Sequence, residues 1–177
     1  MSNSRNLLRL NVGFIIHESI GYSRDFTFEI PALQLSPDLD LRELSGVARV
    51  TRTAQGLLVQ VRLRANVTTG CVRCLTDFSQ PLETDFTELY AFSRNSLTES
   101  GLMVPEAGII DLAPLVRDEM LVSIPMSPLC SPVCKGLCPI CGENLNETIC
   151  HHEDQANDPR LDILKTLLEE RKNPPID

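Results

Sequence analysis

The chain is poor in aromatic residues and has no long hydrophobic run. It contains no tryptophan, two tyrosines and six phenylalanines among 177 residues. Its longest apolar runs, such as Phe14-Ile15-Ile16, are far too short to span a membrane. The first residues lack the apolar stretch of a secretory signal, so a cytoplasmic protein is expected. With 42% hydrophobic and 23% charged residues, the composition is that of one globular domain, with room for a small annex.

Positive charge is also in short supply. Sixteen lysines and arginines stand against 24 aspartates and glutamates, for a formal net charge of −8. This balance argues against nucleic-acid binding over the whole surface. Residues 41–75 are the exception, because they contain six arginines and one acidic residue, Glu43. Such a segment is either a solvated face or a basic patch. Its candidate RNA-binding residues are Arg49, Arg52, Arg62, Arg64 and Arg73.

The middle of the chain has the alternating pattern of antiparallel strands. Every second residue from Leu57 to Val67 is apolar, which is typical of a half-buried strand. The stretch 47–53 is rich in β-branched residues, and Ala54-Gln55-Gly56 after it is typical of a hairpin turn. A third strand is expected over 78–92. Arg62 and Arg64 should then share one solvent-facing side of the sheet.

Two segments have the end signals of helices. Residues 111–124 begin with Asp111 and end before Pro125. Residues 158–172 begin with an aspartate and a proline and are followed by Pro174. Residues 1–38 predict only short strands or loops. The expected fold is α+β: a curved, barrel-like antiparallel β-sheet with two helices and a C-terminal zinc-binding segment. We expect a β-rich domain over 1–128, with residues 129–177 packed on it.

Seven cysteines dominate the chemistry of the chain. An odd number cannot pair completely as disulfides, and clustered cysteines in a reducing compartment are more often metal ligands or redox groups. With one histidine they form four close pairs, hence eight ligands, which fill two tetrahedral zinc sites with none left over. The pairs are Cys71 with Cys74, Cys130 with Cys134, Cys138 with Cys141, and Cys150 with His152.

The division of these pairs between two ions stays open at this point. The preferred division joins the first pair to the second and the third to the fourth. A competing division joins Cys71 and Cys74 to Cys138 and Cys141, as in a two-knuckle zinc ribbon, and a third leaves a single occupied site with spare thiols. His151 is the fallback for His152, whereas the isolated His17 is expected to be an ordinary core or surface residue.

The sequence favours a structural role for the candidate zinc sites over a catalytic one. A catalytic zinc keeps an open coordination position, and here the supply of ligands saturates both sites. Cys71-x2-Cys74 as a thiol-redox pair is an alternative, but such pairs begin a helix, and this one is expected between two strands. The sequence has no phosphate loop and no HExxH motif. We therefore expect no enzymatic activity.

Several of these motifs resemble those of one known family. Cys71-Val-Arg-Cys-Leu75, the stretch 111–120 and Ile124-Pro-Met-Ser-Pro-Leu-Cys130 resemble the YceD family of large ribosomal RNA subunit accumulation proteins. The most specific string is Cys134-Lys-Gly-Leu-Cys-Pro-Ile-Cys-Gly-Glu-Asn-Leu-Asn146, which is followed by Cys150-His-His152 and the stretch 158–164. The matching stretches run through most of residues 70–172. The family pattern ends in Cys-x-Cys, and here His152 takes the last place, where it can still bind zinc.

The resemblance implies a non-enzymatic role in the accumulation or processing of large-subunit ribosomal RNA. Two partners are compatible with it. The arginine-rich segment could contact ribosomal RNA directly, or the acidic body could act as a chaperone or adaptor for a basic large-subunit ribosomal protein. Neither a membrane nor a small-molecule substrate is expected.

Overall fold

The computed structural model describes residues 7–35 and 38–152. The elements, in chain order, are β1 (Arg9–Asn11), α1 (Gly13–Ile16), β2 (Ser23–Leu35), β3 (Leu39–Arg52), β4 (Gly56–Gly70), β5 (Asp77–Ala91), a 3-10 turn (Arg94–Ser96), β6 (Ile109–Asp111) and α2 (Ala113–Ser123). The four long strands form one antiparallel sheet in the order β2-β3-β4-β5, and β1 pairs with β6 in a small second sheet.

The predicted hairpin and third strand are confirmed. β3 and β4 pair from Arg52 opposite Leu57 down to Leu41 opposite Val67, and the turn closes where the N–H of Thr53 donates to the oxygen of Gly56 at 2.8 Å. β4 and β5 pair along their whole length. The odd-numbered residues of β4 from 57 to 67 are buried, as the alternation requires. The turn between β4 and β5 carries the first cysteine pair.

The prediction of a barrel-like sheet is wrong, because the sheet stays open. β2 and β5 are its two edges, and no described strand joins them. Each edge strand contains a proline, Pro31 in β2 and Pro81 in β5. Proline has no N–H to donate to a further strand, so it is tolerated at an edge and not within a sheet. Four strands are also about half the number that encloses a filled barrel.

Instead of closing on itself, the sheet buries one face against α2 and the β1–β6 pair. Leu112, Val116 and Met120 of the α2 region are completely buried, as are Leu8 and Ile110 near the small sheet. Burial of this kind stabilises the fold by roughly 25 cal/mol for each Å² of apolar surface removed from water. The opposite face of the four-stranded sheet is solvent-exposed and carries the paired charged residues described below.

The helix predicted at 111–124 is confirmed as α2, with bounds 113–123. The N–H of Ala113 donates to Oδ1 of Asp111 at 3.0 Å, and Pro114 occupies the first turn. Two predicted features fall outside the residues that the structure describes: the helix 158–172 and the packing of residues 153–177. None of the helices in 7–35 and 38–152 has the length and apolar composition that a membrane span requires.

Candidate metal centre

Eight candidate ligands converge in two clusters. Within each cluster the ligand atoms all lie within 4.8 Å of one another. Cluster one consists of Cys71, Cys74, Cys130 and Cys134, and cluster two consists of Cys138, Cys141, Cys150 and His152. The structure therefore brings the side chains together in the preferred division and not in the two-knuckle alternative. His151 is exposed and lies outside cluster two, and His17 is exposed at the end of α1.

The distances between sulfur atoms fit a shared ion and not a disulfide. The Sγ atoms lie 3.8 Å apart for Cys71 and Cys134, and 3.6 Å apart for Cys74 and Cys130. In cluster two, Sγ of Cys141 and Sγ of Cys150 are 3.5 Å apart. A disulfide would bring the sulfurs to about 2.05 Å, whereas four sulfurs on a tetrahedral zinc at about 2.3 Å are separated by about 3.8 Å. None of the seven cysteines forms a disulfide.

Two of the cysteine pairs lie in turns with the same backbone pattern. The N–H of Leu75 donates to the oxygen of Cys71 at 2.9 Å, and the N–H of Gly142 donates to the oxygen of Cys138 at the same distance. Residues Leu75 and Gly142 both have positive φ, at 59° and 77°. In each turn the N–H of the first cysteine donates to the carbonyl five residues on. This repeated turn points both thiols of a pair to one side, which is what a shared ion requires.

Backbone N–H groups stabilise thiolates in both clusters. The N–H groups of Cys130 and Cys74 lower the pKa of Cys71 to about 6, and those of Cys141 and Ile140 lower the pKa of Cys138. Crowding works in the other direction, because the thiol of Cys74 raises the pKa of Cys130 to about 12. Several thiolates so close together repel one another, and a divalent cation between them removes that penalty. The donor set of each cluster thus fits a metal ion.

The two clusters differ in burial. In cluster one Cys71, Cys74 and Cys134 are 5% exposed or less, and Phe78, Leu129 and Leu137 pack around them. In cluster two only Cys138 is buried, whereas Cys141 and His152 are exposed. Cluster one also joins the β4–β5 turn to the segment after α2, across more than fifty residues of chain, while cluster two closes within one local loop. Cluster one is therefore placed to hold the fold together.

Hydrogen bonds also hold cluster one from outside its ligands. Nη1 of Arg73 donates to the oxygen of Cys134 at 3.0 Å, and the N–H of Leu137 donates to the oxygen of Arg73 at 3.1 Å. Nδ2 of Asn146 donates to Sγ of Cys134 at 3.3 Å. Sequence reasoning assigned no role to Asn146. The only signal was its place in the string shared with the YceD family.

The arginine-rich segment does not form a free basic patch. Nε of Arg49 lies 2.7 Å from Asp25, Nε of Arg62 lies 2.8 Å from Asp85, and Arg64 lies 3.1 Å from Glu83. The guanidinium of Arg49 lowers the pKa of Asp25. Arg52 donates to the carbonyl of Ile16 and lies over the ring of Phe92. The acidic partners come from β2 and β5, outside the segment in which the charges were counted.

The geometry defines a class of protein: a small protein with an open antiparallel sheet and two clusters of four candidate metal ligands. A family model described as "Large ribosomal RNA subunit accumulation protein YceD" matches residues 59–168 and so includes all eight candidate ligands. The chain belongs to the YceD family. No solved structure matches it.

Three relatives show how far the similarity extends. An uncharacterized protein of Mycobacterium tuberculosis is 31% identical over 161 residues, which cover 88% of this chain and 74% of the relative. The uncharacterized protein YlbN of Bacillus subtilis is 34% identical over 104 residues, 56% of this chain and 59% of the relative. The Arabidopsis thaliana protein named large ribosomal RNA subunit accumulation protein YCED homolog 1, chloroplastic, is 33% identical over 66 residues, 37% of this chain and 21% of the relative.

Proposed function

We propose that this chain is a non-enzymatic ribosome-biogenesis factor that supports the accumulation of large-subunit ribosomal RNA in the cytoplasm, with a structural zinc ion in each cluster. The observation that carries the zinc proposal is the convergence of two complete four-ligand sets. The role in ribosomal RNA accumulation rests on membership of the YceD family, whose described name states it.

The donor sets favour zinc in a structural role. Four thiolates, or three thiolates with one imidazole, are typical of closed zinc sites, whereas a catalytic zinc has three protein ligands and one open position. The redox alternative is less favoured, because Cys71 and Cys74 lie in a turn between two strands and not at the start of a helix. Each of the two also lies beside a thiol from the second pair.

Metal analysis of the purified chain tests the zinc proposal directly. Under reducing conditions we expect two zinc ions per chain by mass spectrometry of the native protein and by elemental analysis. Zinc-bound thiolates should react slowly with an alkylating reagent, and a chelator should make them reactive. Well under one zinc per chain, with fast alkylation of Cys71 or Cys74 in the native state, would instead support the thiol-redox reading.

Between the two candidate partners, the charges favour a basic large-subunit ribosomal protein. The formal net charge is −8. Two zinc sites would take it to about −11, because a four-thiolate site carries −2 and a three-thiolate site −1. Arg49, Arg62 and Arg64 are already paired with carboxylates, so a phosphate would have to displace these partners. Complementary charge speeds encounter with a basic protein and suppresses encounter with RNA.

A binding assay with defined probes separates the two partners. We expect the chain to retain total large-subunit ribosomal proteins after nuclease treatment and to bind isolated large-subunit ribosomal RNA weakly. The variant Arg62→Glu/Arg64→Glu should bind the proteins at least as well as the wild type, because it adds negative charge. Arg24→Glu/Arg94→Glu, at two other exposed arginines, is the charge-matched control. Tight RNA binding that only the first variant abolishes would favour direct RNA contact.

A further inference from the structure

Asn146 lies between the two clusters and contacts both of the segments that form them. It belongs to the loop between Cys141 and Cys150, which are both ligands of cluster two. Its side-chain Nδ2 donates to Sγ of Cys134, a ligand of cluster one, at 3.3 Å. One side chain thus extends from the loop of one candidate site to a sulfur atom of the other.

The orientation of the Asn146 amide is set by its neighbours. Its Oδ1 accepts the backbone N–H of Lys135 at 2.8 Å, which an amide nitrogen could not do. The nitrogen must therefore face the sulfur. Nδ2 and the backbone N–H of Asn146 also donate to Oδ1 of Asn144, at 2.8 and 3.1 Å. These bonds set the orientation of the Asn146 amide within its loop.

The backbone around Asn146 is joined to the segment between the clusters. The N–H of Leu145 donates to the oxygen of Gly136 at 2.9 Å, and the N–H of Cys138 donates to the oxygen of Glu143 at 2.8 Å. Leu137 and Asn144 form an isolated antiparallel bridge. A metal ion in cluster two would hold Cys141 and Cys150 together, which closes the loop that carries Asn146. Ordering that loop fixes the donor beside Cys134.

A hydrogen bond from an amide to a metal-bound thiolate orients the sulfur and stabilises its negative charge. Outer hydrogen bonds of this kind typically change metal affinity 10- to 100-fold when they are removed. We propose that Asn146 is a positioning residue for the metal of cluster one and that it couples the two sites, so that metal in cluster two raises the affinity of cluster one. This inference rests on the proposed zinc sites. By thermodynamic linkage the coupling is reciprocal.

Metal titration of the full chain tests the coupling. Cobalt(II) reports each site by its thiolate charge-transfer and ligand-field bands, which differ between four-sulfur and three-sulfur sites, and a competing chelator gives the zinc affinities. Asn146→Asp keeps the size of the side chain but puts an acceptor beside the thiolate. We expect the zinc affinity of cluster one in this variant to fall about 10- to 100-fold. Asn146→Ala, which adds no charge, should change it in the same direction.

The charge-matched control is Asn95→Asp, at an exposed residue of the 3-10 turn, which should leave both affinities unchanged. Cys150→Ser, which disables cluster two, should also weaken cluster one in the wild-type background. The double variant Cys150→Ser/Asn146→Asp should lose less cluster one affinity than the product of the two single losses. Both changes act on the same hydrogen bond, the one from Asn146 to Sγ of Cys134. Two bound zinc ions with unchanged cluster one affinity in both Asn146 variants would overturn both the positioning role and the coupling, but not the zinc proposal. Fully multiplicative effects would overturn the coupling only. A wild type without metal would overturn the zinc proposal as well.

Discussion

Replacing Cys134 by serine should destabilise the whole described fold far more than replacing Cys150 by serine. Cys134 is 3% exposed and belongs to cluster one, which links the β4–β5 turn to the segment after α2. Cys150 is only half-buried and belongs to the local cluster two. Both substitutions exchange one sulfur for one oxygen, so the chemical change is matched and only the place in the fold differs.

The expected size follows from what structural zinc contributes. Apparent zinc-binding free energies in small peptides are roughly 10–16 kcal/mol, and loss of a metal is among the few single changes that cost more than about 4 kcal/mol. For Cys134→Ser we expect at least that loss in the free energy of unfolding, equivalent to a fall in Tm of about 8 °C or more for a chain of this size. For Cys150→Ser we expect a smaller loss, at most about 2.7 kcal/mol, because the substitution reaches cluster one only through Asn146 and a 100-fold fall in zinc affinity corresponds to that free energy.

Thermal unfolding followed by far-ultraviolet circular dichroism, with and without a zinc chelator, checks this pair. The chelator should lower the Tm of the wild type towards that of Cys134→Ser and should have little further effect on that variant. Equal losses from the two substitutions would contradict the division of roles between the clusters. If the chelator does not change the Tm of the wild type, cluster one stabilises the fold only through the packing of its thiols and not through a bound metal.

The strands could be predicted because their signal is local. The alternation from Leu57 to Val67 marks one face of β4, and burial of that face confirms it. Closure of the sheet could not be predicted, because it depends on whether two strands distant in sequence meet. The prolines in β2 and β5 are edge signals, but they are informative only once the strand order is known.

The candidate ligands could be predicted for a similar reason. Paired cysteines two or three residues apart are a short-range pattern, and the local span of cluster two favoured the division that the structure has. The pairing of arginines with carboxylates could not be predicted from a charge count within one segment. Asp25 lies opposite Arg49, and Asp85 lies opposite Arg62, only because of the strand register. The role of Asn146 could not be predicted either, because its hydrogen bond to Cys134 forms only when the loop between Cys141 and Cys150 folds back onto cluster one.

Leu75 shows where sequence reasoning misses backbone conformation. It has a φ of 59° and an exposed side chain, in a position where the matching turn of cluster two has Gly142. A left-handed conformation costs a bulky residue about 1–2 kcal/mol. Gly142, which follows Cys141, is a residue type that indicates a turn. Leucine does not indicate one, so the sequence did not predict the positive φ of Leu75. The bonds from Leu75 to Cys71 and from Cys71 to Thr76 hold this strained turn in place.

Replacing Gly46 by alanine should strongly destabilise the sheet, although the substitution adds only one methyl group. Gly46 lies in β3 opposite Leu63 of β4, with a φ of 148°. An added Cβ would lie 2.1 Å from the carbonyl oxygen of Arg62 and 2.9 Å from Cα of Leu63. Both contacts are with backbone, so neither can be relieved by turning a side chain. The nearby register shift between Arg42 and Ser45 gives β3 its irregular path at this point.

The matched control is Gly70→Ala at the far end of β4, where the added Cβ meets only Asp77 Oδ1 at 3.6 Å, an ordinary contact. Overpacking and backbone strain each cost about 1–3 kcal/mol, so for Gly46→Ala we expect a loss of about 3 kcal/mol or more. Gly70→Ala should be neutral or slightly stabilising, because it restricts the unfolded chain. Chemical denaturation of both variants under zinc-saturating conditions measures the difference. Because Gly46 belongs to neither cluster, the folded Gly46→Ala variant should bind as much zinc as the wild type. Equal stability of the two variants would mean that β3 and β4 do not approach as closely at Gly46 as their pairing requires.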